Sequence, residues 1–289
     1  SKKIFFESDR LGVQSIFYLD IEWTGGVIDW IGDWIWESYP EGEEAKPIFP
    51  EQSWSRFHNI SHSGTYIASM LYPTGQYDIV LFDKTGSYKK IITDQKYDDF
   101  YPQFSKDDLT IFYQKKLSNT NMEIFSNDLE GSYEFNLSRN KANDYISRNP
   151  SISLNNEKIV FTSDRTGYLD VFIMNLDGSN VRNLTSSKFD DLSPTFSPKH
   201  NKVAFISNRE GNNDVFVMNL DNNEIINITE SEYSETSPKF SPDGKKLAYI
   251  SDKDNILKIY CYDFDTSQTY NIIKTDFLSG SSFDFFYVD

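Results

Sequence analysis

Carboxylates at one recurring position are the residues best placed for chemistry. Asp99, Asp191 and Glu235 each stand three residues before a proline, and Ser147 holds the same place in a further copy. Asp98, Asp144 and Asp190 lie close by, and Tyr101 and Arg148 follow within two residues. Brought together in a ring, such acids would raise the local negative potential. They could then hold a Lys, an Arg, a peptide N-terminus or a Ca²⁺ ion at Asp99, Asp191 and Glu235. A hydrated ring without a ligand is the competing reading. A second set, Asp170 and Asp214, falls seven residues after a recurring serine, with Asp78 as its counterpart. Carboxylates at strand starts accept hydrogen bonds from turn N–H groups, so these are expected to brace turns.

Other arrangements are less productive. His58, His62 and His200 show no ligand spacing, and no Gly-x-Ser-x-Gly nucleophile elbow or Gly-x-x-x-x-Gly-Lys phosphate loop occurs. Thr24-Gly25-Gly26 suits a hairpin turn, and the lone Cys261 sits in a strand pattern as a core residue. The Asn-x-Ser/Thr triplets at Asn59, Asn136, Asn183 and Asn227 recur with the strand pattern and are read as strand endings. The segment from Trp23 to Trp54 holds all five tryptophans, with Trp34, Trp36 and Tyr39 beside an acidic run at Glu41 to Glu44. Trp and Tyr are common interface anchors, but they could equally fold back as a private satellite core.

The elements that must position these groups are strands. The 289 residues include 23 Phe and 18 Tyr, and aromatic and β-branched residues favour pleated surfaces. Taking serines 61, 105, 153, 197 and 241 as anchors gives spacings of 44, 48, 44 and 44 residues. One more step reaches Phe285 in a strand-like tail. Each unit divides into four short strand patterns with Asx- and Gly-rich turns. In the clearest unit these are 194–197, 202–207, 214–220 and 224–229. The expected fold is therefore all-β, a six-bladed β-propeller of four-stranded blades, its ring closed by the C-terminal strand joining the N-terminal blade. Blade 1 takes residues 1–31 plus 281–289, followed by a non-repeating insert at about 32–55. Blades 2 to 6 take 56–98, 99–145, 146–189, 190–233 and 234–280. With Val27 to Trp30 as the outer strand of blade 1, the insert would fall in a connection on the acidic face.

The repeats Ser237-Pro238-Lys239-Phe240-Ser241-Pro242-Asp243-Gly244, Ser163-Asp164-Arg165-Thr166-Gly167 and Asp170-Val171-Phe172 resemble those of the TolB-like propeller family. The resemblance is specific over 149–265, weaker over 57–135, and fails over roughly 23–55. It implies a propeller that mostly binds proteins. It also admits gating domains of prolyl-oligopeptidase-type serine peptidases, for which these residues leave no room, and lyases acting on oligogalacturonate. A periplasmic or extracytoplasmic location follows only from the resemblance.

The net charge of −16, with no basic run, argues against nucleic acid, and no stretch approaches a membrane span. The expected function is a noncatalytic, monomeric scaffold without an obligatory cofactor, Ca²⁺ at the mouth remaining open. It would bind a protein or peptide, one with basic groups suiting the field. Asp99, Tyr101, Arg148, Asp191, Glu235, Trp34, Trp36 and Tyr39 would form its binding surface. The alternatives are an oligogalacturonate lyase-like enzyme and a propeller module excised from a larger protein.

Overall fold

The computed structural model describes strands at residues 2–8, 15–21 and 46–47, then residues 56–271 apart from 73–74, 85–86, 95, 140–144, 154, 242 and 254–256. Side chains are described from Asn59 onward. The described residues form one three-stranded and five four-stranded antiparallel sheets, each built from strands consecutive in sequence, with no α-helix among them.

The four-stranded sheets match the repeats. Blade 5 runs Asp191–Phe196, Lys202–Ser207, Asp214–Asn219 and Ile225–Asn227. Its inner strand begins three residues earlier than the turn signals suggest. Asp191 pairs with Ser207 and Leu192 with Ile206, and a bulge then carries the register past Ser193 and Pro194 to Thr195. The bulge explains the proline: the interrupted ladder needs no donor there. The inner strands of blades 3, 4 and 6 carry the same shift, between Phe100 and Gln103, Arg148 and Ser151, and Thr236 and Lys239.

Sequence alternation decides which blade each side chain meets. In blade 4, Ile159 and Phe161 pack on Phe112, Ile124 and Leu137 of blade 3, whereas Val160 between them packs on Val203 and Phe205 of blade 5. Ala68, Ile79 and Leu81 of blade 2 meet Phe104, Ile111 and Tyr113 of blade 3 in the same way. Ala204, Ile206 and Val217 of blade 5 meet Phe240, Leu247 and Tyr249 of blade 6. With neighbours on both faces, the middle strands are buried along most of their length, each large side chain contributing about 1.5–3 kcal/mol. Successive inner strands lie against one another, as blades around a central axis require.

The turns after the inner strands lean on one another in sequence. Asp108 of blade 3 accepts the N–H groups of His62 and Ser63 of blade 2 at 2.7 and 2.8 Å. Asn156 of blade 4 accepts the N–H of Lys106 of blade 3 at 2.8 Å. Gly178 in blade 4, at φ 81°, passes so close to blade 3 that a Cβ there would clash with the Leu137 carbonyl oxygen.

The first sheet departs from expectation. Its strands are Lys2–Ser8, Ser15–Ile21 and Lys46–Pro47, the last pairing with the second through Phe17 and Tyr18. The chain between 22 and 45 thus joins two strands of one sheet. The sequence instead suggested an outer strand at Val27 to Trp30 leading through the insert to the next blade. Val27 to Trp30 and the expected anchors Trp34, Trp36 and Tyr39 lie outside the described residues, as does the closing segment 281–289.

Candidate functional site

The bulges shape the inner strands in the same way in four blades. Tyr101, Asn149, Ser193 and Ser237 take φ of 54, 53, 51 and 55°, a left-handed conformation that non-glycine residues adopt only when their surroundings impose it. Here the following proline and the flanking ladder impose it four times. The residues just before them, Phe100, Arg148, Leu192 and Thr236, are half-buried or exposed on successive inner strands. Beside Phe100 an aromatic ladder runs outward, with Tyr77 at 5.7 Å from it and Tyr72 at 4.9 Å from Tyr77. Tyr72 is exposed on the turn between the second and third strands of blade 2. Arg148 is placed on the neighbouring inner strand, which is tied to blade 3 by the Asn149 N–H donated to the Gln114 side chain at 3.0 Å. Arg148 makes no ion pair with the described residues, and its Nε is buried without a hydrogen-bond partner.

The carboxylates expected around the mouth are in the molecule's interior. Asp99 and Asp191 are 0% exposed and Glu235 1%, so they form no solvated ring. Their backbone amides explain the placement. Asp99 N–H donates to Tyr77 O at 2.7 Å, Asp191 to Leu169 O at 2.6 Å and Glu235 to Asn213 O at 2.7 Å, each clamping its blade to the preceding one. The side chains are thereby drawn into separate interblade junctions. Among the described residues no group of three His, Cys, Asp or Glu could hold a metal, so Asp99, Asp191 and Glu235 do not assemble into a Ca²⁺ ligand set.

Each junction handles its charge differently. Asp191 Oδ1 accepts from Arg209 Nη2 at 2.9 Å. Where Ser147 replaces the acid, Arg165 Nη2 donates to its hydroxyl at 3.1 Å, and Glu123 across the junction supplies the opposing charge. Among the described residues neither Asp99 oxygen has a close hydrogen-bond partner, and the Thr93 hydroxyl only weakly favours its charged form. Burial pushes its carboxyl up to about 8 against the opposing pull of Lys115. Glu235 has no arginine either, and burial raises it to about 7 despite bonds from Ser231 and Ser251 at 2.9 Å each.

The second acid set does brace turns. Asp170 receives Thr166 Oγ1 and Asn183 Nδ2 at 2.7 Å each, Thr185 Oγ1 at 3.1 Å and the Ser187 N–H at 2.9 Å. Asp214 repeats this with Asn227, Thr229 and Ser231. Asp78 receives Thr93 Oγ1 at 3.2 Å. Asn183 and Asn227 are thus outer-strand residues tied to these acids, and Cys261 is buried, its thiol pushed up to about 12 by desolvation.

Sequence reasoning missed two participants. Glu123 stands at the position of Asp170 but bears a longer carboxylate. Lys115, 1% exposed, takes the place of a serine in the second strand of blade 3 and pairs with Glu134 at 2.5 Å and Asp94 at 3.1 Å. A charged residue in the buried run Ile111-Phe112-Tyr113-Gln114-Lys115 was the available signal.

The comparisons agree with this architecture. The family model described as the TolB β-propeller domain matches residues 184–279. No curated protein matches the sequence. TolB from Acinetobacter baumannii superposes with a TM-score of 0.70 at 20% identity, over 94% of this chain and 63% of its own length. A putative TolB from Agrobacterium tumefaciens gives 0.68 at 16% identity, over 80% and 84%. An oligogalacturonate lyase from Vibrio parahaemolyticus gives 0.62 at 14% identity, over 94% and 71%. The chain therefore spans less than two thirds of the Acinetobacter protein, and these similarities speak to fold. With its bulged inner strands, its junctions formed blade on blade, and a family match over residues 184–279, the chain has a β-propeller fold similar to that of TolB.

Proposed function

We propose that this propeller is a noncatalytic scaffold that binds a protein or peptide at the channel mouth, on the face carrying the interblade connections. The observation that supports this reading most is the bulge repeated in blades 3 to 6. It presents Phe100, Arg148, Leu192 and Thr236 from strands held by left-handed residues, a surface formed before any ligand arrives. The buried acids beneath are engaged mainly in joining blades. The surface itself offers an aromatic ladder and an arginine, groups typical of interface anchors. A six-bladed ring closed by residues 281–289, a monomeric state and an extracytoplasmic location accompany this reading.

The test is capture of partners from extracts of the source cell by the wild type and by a Phe100→Ala/Arg148→Glu variant. The variant is expected to lose a partner that the wild type retains, at an unchanged melting temperature. Retention by both would overturn the reading. The same ladder and arginine favour one rival, a carbohydrate-active enzyme, because sugar rings stack on aromatics and uronate carboxylates pair with arginine. Turnover of acidic oligosaccharides that disappears in the same variant would establish that rival instead.

A further inference from the structure

One place recurs on the described inner strands, the last ladder pair before the bulge. Register puts Arg56 there opposite Met70, Phe100 opposite Gln114, Arg148 opposite Thr162, Leu192 opposite Ile206 and Thr236 opposite Ile250. Neighbouring inner strands lie against one another, so Arg56, Phe100 and Arg148 hold consecutive places on blades 2, 3 and 4. None of these places holds an acid.

The acids nearby face other groups. Asp99, Asp191 and Glu235 are buried, and Asp98 and Asp190 accept the N–H groups of Tyr77 and Leu169 at 3.0 and 3.3 Å. Arg148 has no such engagement. Its Nε is buried without a hydrogen-bond partner, and it forms no ion pair among the described residues. Thr162, directly opposite on the same face of the sheet, offers no acceptor, its own hydroxyl being buried without a partner. A guanidinium so placed gains from an acceptor that the neighbouring described groups do not supply. Phe100, Arg148 and Leu192 are each partly open to solvent, so a ligand meets them at the surface.

We propose that the inner strands of blades 2 to 4 bind an acidic peptide, whose side-chain carboxylates pair with Arg148 and Arg56 while its apolar groups rest on Phe100. This gives the partner of the previous section its chemistry and rests on the mouth-binding reading. The guanidinium fork presents parallel N–H donors to both oxygens of a carboxylate, which an ammonium does not. The net charge of −16 favours a basic partner at a distance. That field is screened beyond about 8 Å at physiological ionic strength, whereas the charges at this place are cationic.

Acetylated, amidated hexaglutamate and hexalysine are the probes, added to the whole chain with its arginines labelled for nitrogen resonance. The Arg148 Nε–H signal, assigned through its loss in Arg148→Lys, should move with hexaglutamate and stay in place with hexalysine. Arg148→Met and Arg56→Met should each weaken hexaglutamate binding roughly tenfold, and Arg148→Lys less, since it keeps the charge and loses the fork. A signal indifferent to hexaglutamate, equal affinity in the Met variants and the wild type, or tighter binding of hexalysine would overturn the proposal. So would trigalacturonate binding more tightly than hexaglutamate, which would assign the arginines to a sugar acid. The Nε–H signal is read in the unaltered protein, so a variant that fails to fold leaves the test standing. Failure of the mouth-binding reading shows instead in the capture experiment, which uses no acidic probe, so each can fail without the other.

Discussion

Blades 3 and 5 cover the same kind of aromatic pair with a cation, yet they deliver that cation from different places. In blade 5 it comes from the turn, as Arg209 folding back over Phe205 and Phe216 to reach the inner-strand acid. In blade 3 it comes from within the sheet. Lys115, in register with Asp99, lies 5.2 Å from the Phe125 ring centre and 6.0 Å from that of Tyr113, but bonds outward to Glu134 and Asp94. The repeat thus preserves a charge over a ring stack rather than a residue at a position. The consequence falls on the acid: Asp191 is paired, whereas Asp99 has no close hydrogen bond among the described residues.

Unequal costs of removing the two cations would sharpen this contrast most. Arg209→Met strands the fully buried Asp191 and should cost roughly 3–5 kcal/mol in chemical denaturation. Lys115→Met leaves Glu134 and Asp94, both partly solvated, and should cost about 1–3 kcal/mol. Equal losses would mean that position in the sheet, not pairing of the acid, sets the energy.

The next effect is in pH. The Asp99 carboxyl titrates at about 8 in the fold against an ordinary 3.8, so the native state holds this proton more tightly than the unfolded chain. Its contribution is complete below the ordinary value and is lost as pH rises towards 8. Asp99→Asn should therefore flatten the fall in stability over that range, on the order of 2–5 kcal/mol, and be the more stable protein in mild alkali. An unchanged slope would show that Lys115 compensates Asp99 after all. The smallest effect is expected from Tyr113→Phe, which deletes the hydroxyl donating to Glu134 at 2.5 Å and should cost about 1 kcal/mol. Blade 5 has no counterpart to this bond, since Phe205 stands there.

These contrasts bear on how much the sequence could disclose. The period of the serine anchors located the blades, and the alternation within each strand located the core, because both depend on spacing alone. The bracing role of Asp170 and Asp214 was legible for the same reason: their partners lie within their own repeat. Asp99, Asp191 and Glu235 were expected in a solvated ring and are buried instead. Spacing gives angle around a ring, whereas burial here follows from backbone bonds to Tyr77, Leu169 and Asn213 in the preceding blade. Glu123 and Lys115 escaped notice because their partners lie in another blade or on a neighbouring loop.

One feature of the junctions bears on synthesis. Asp108 reaches back to His62 and Ser63, Asn156 to Lys106, Gly178 to Leu137, and Asp191 and Glu235 to Leu169 and Asn213. In each case the later segment docks on an earlier one. A chain leaving the ribosome would meet a finished surface with every new blade, and the open polar groups of the last blade made would wait only until the next arrived. Growth from the N-terminus would thus let the described blades dock in chain order, one unit per step.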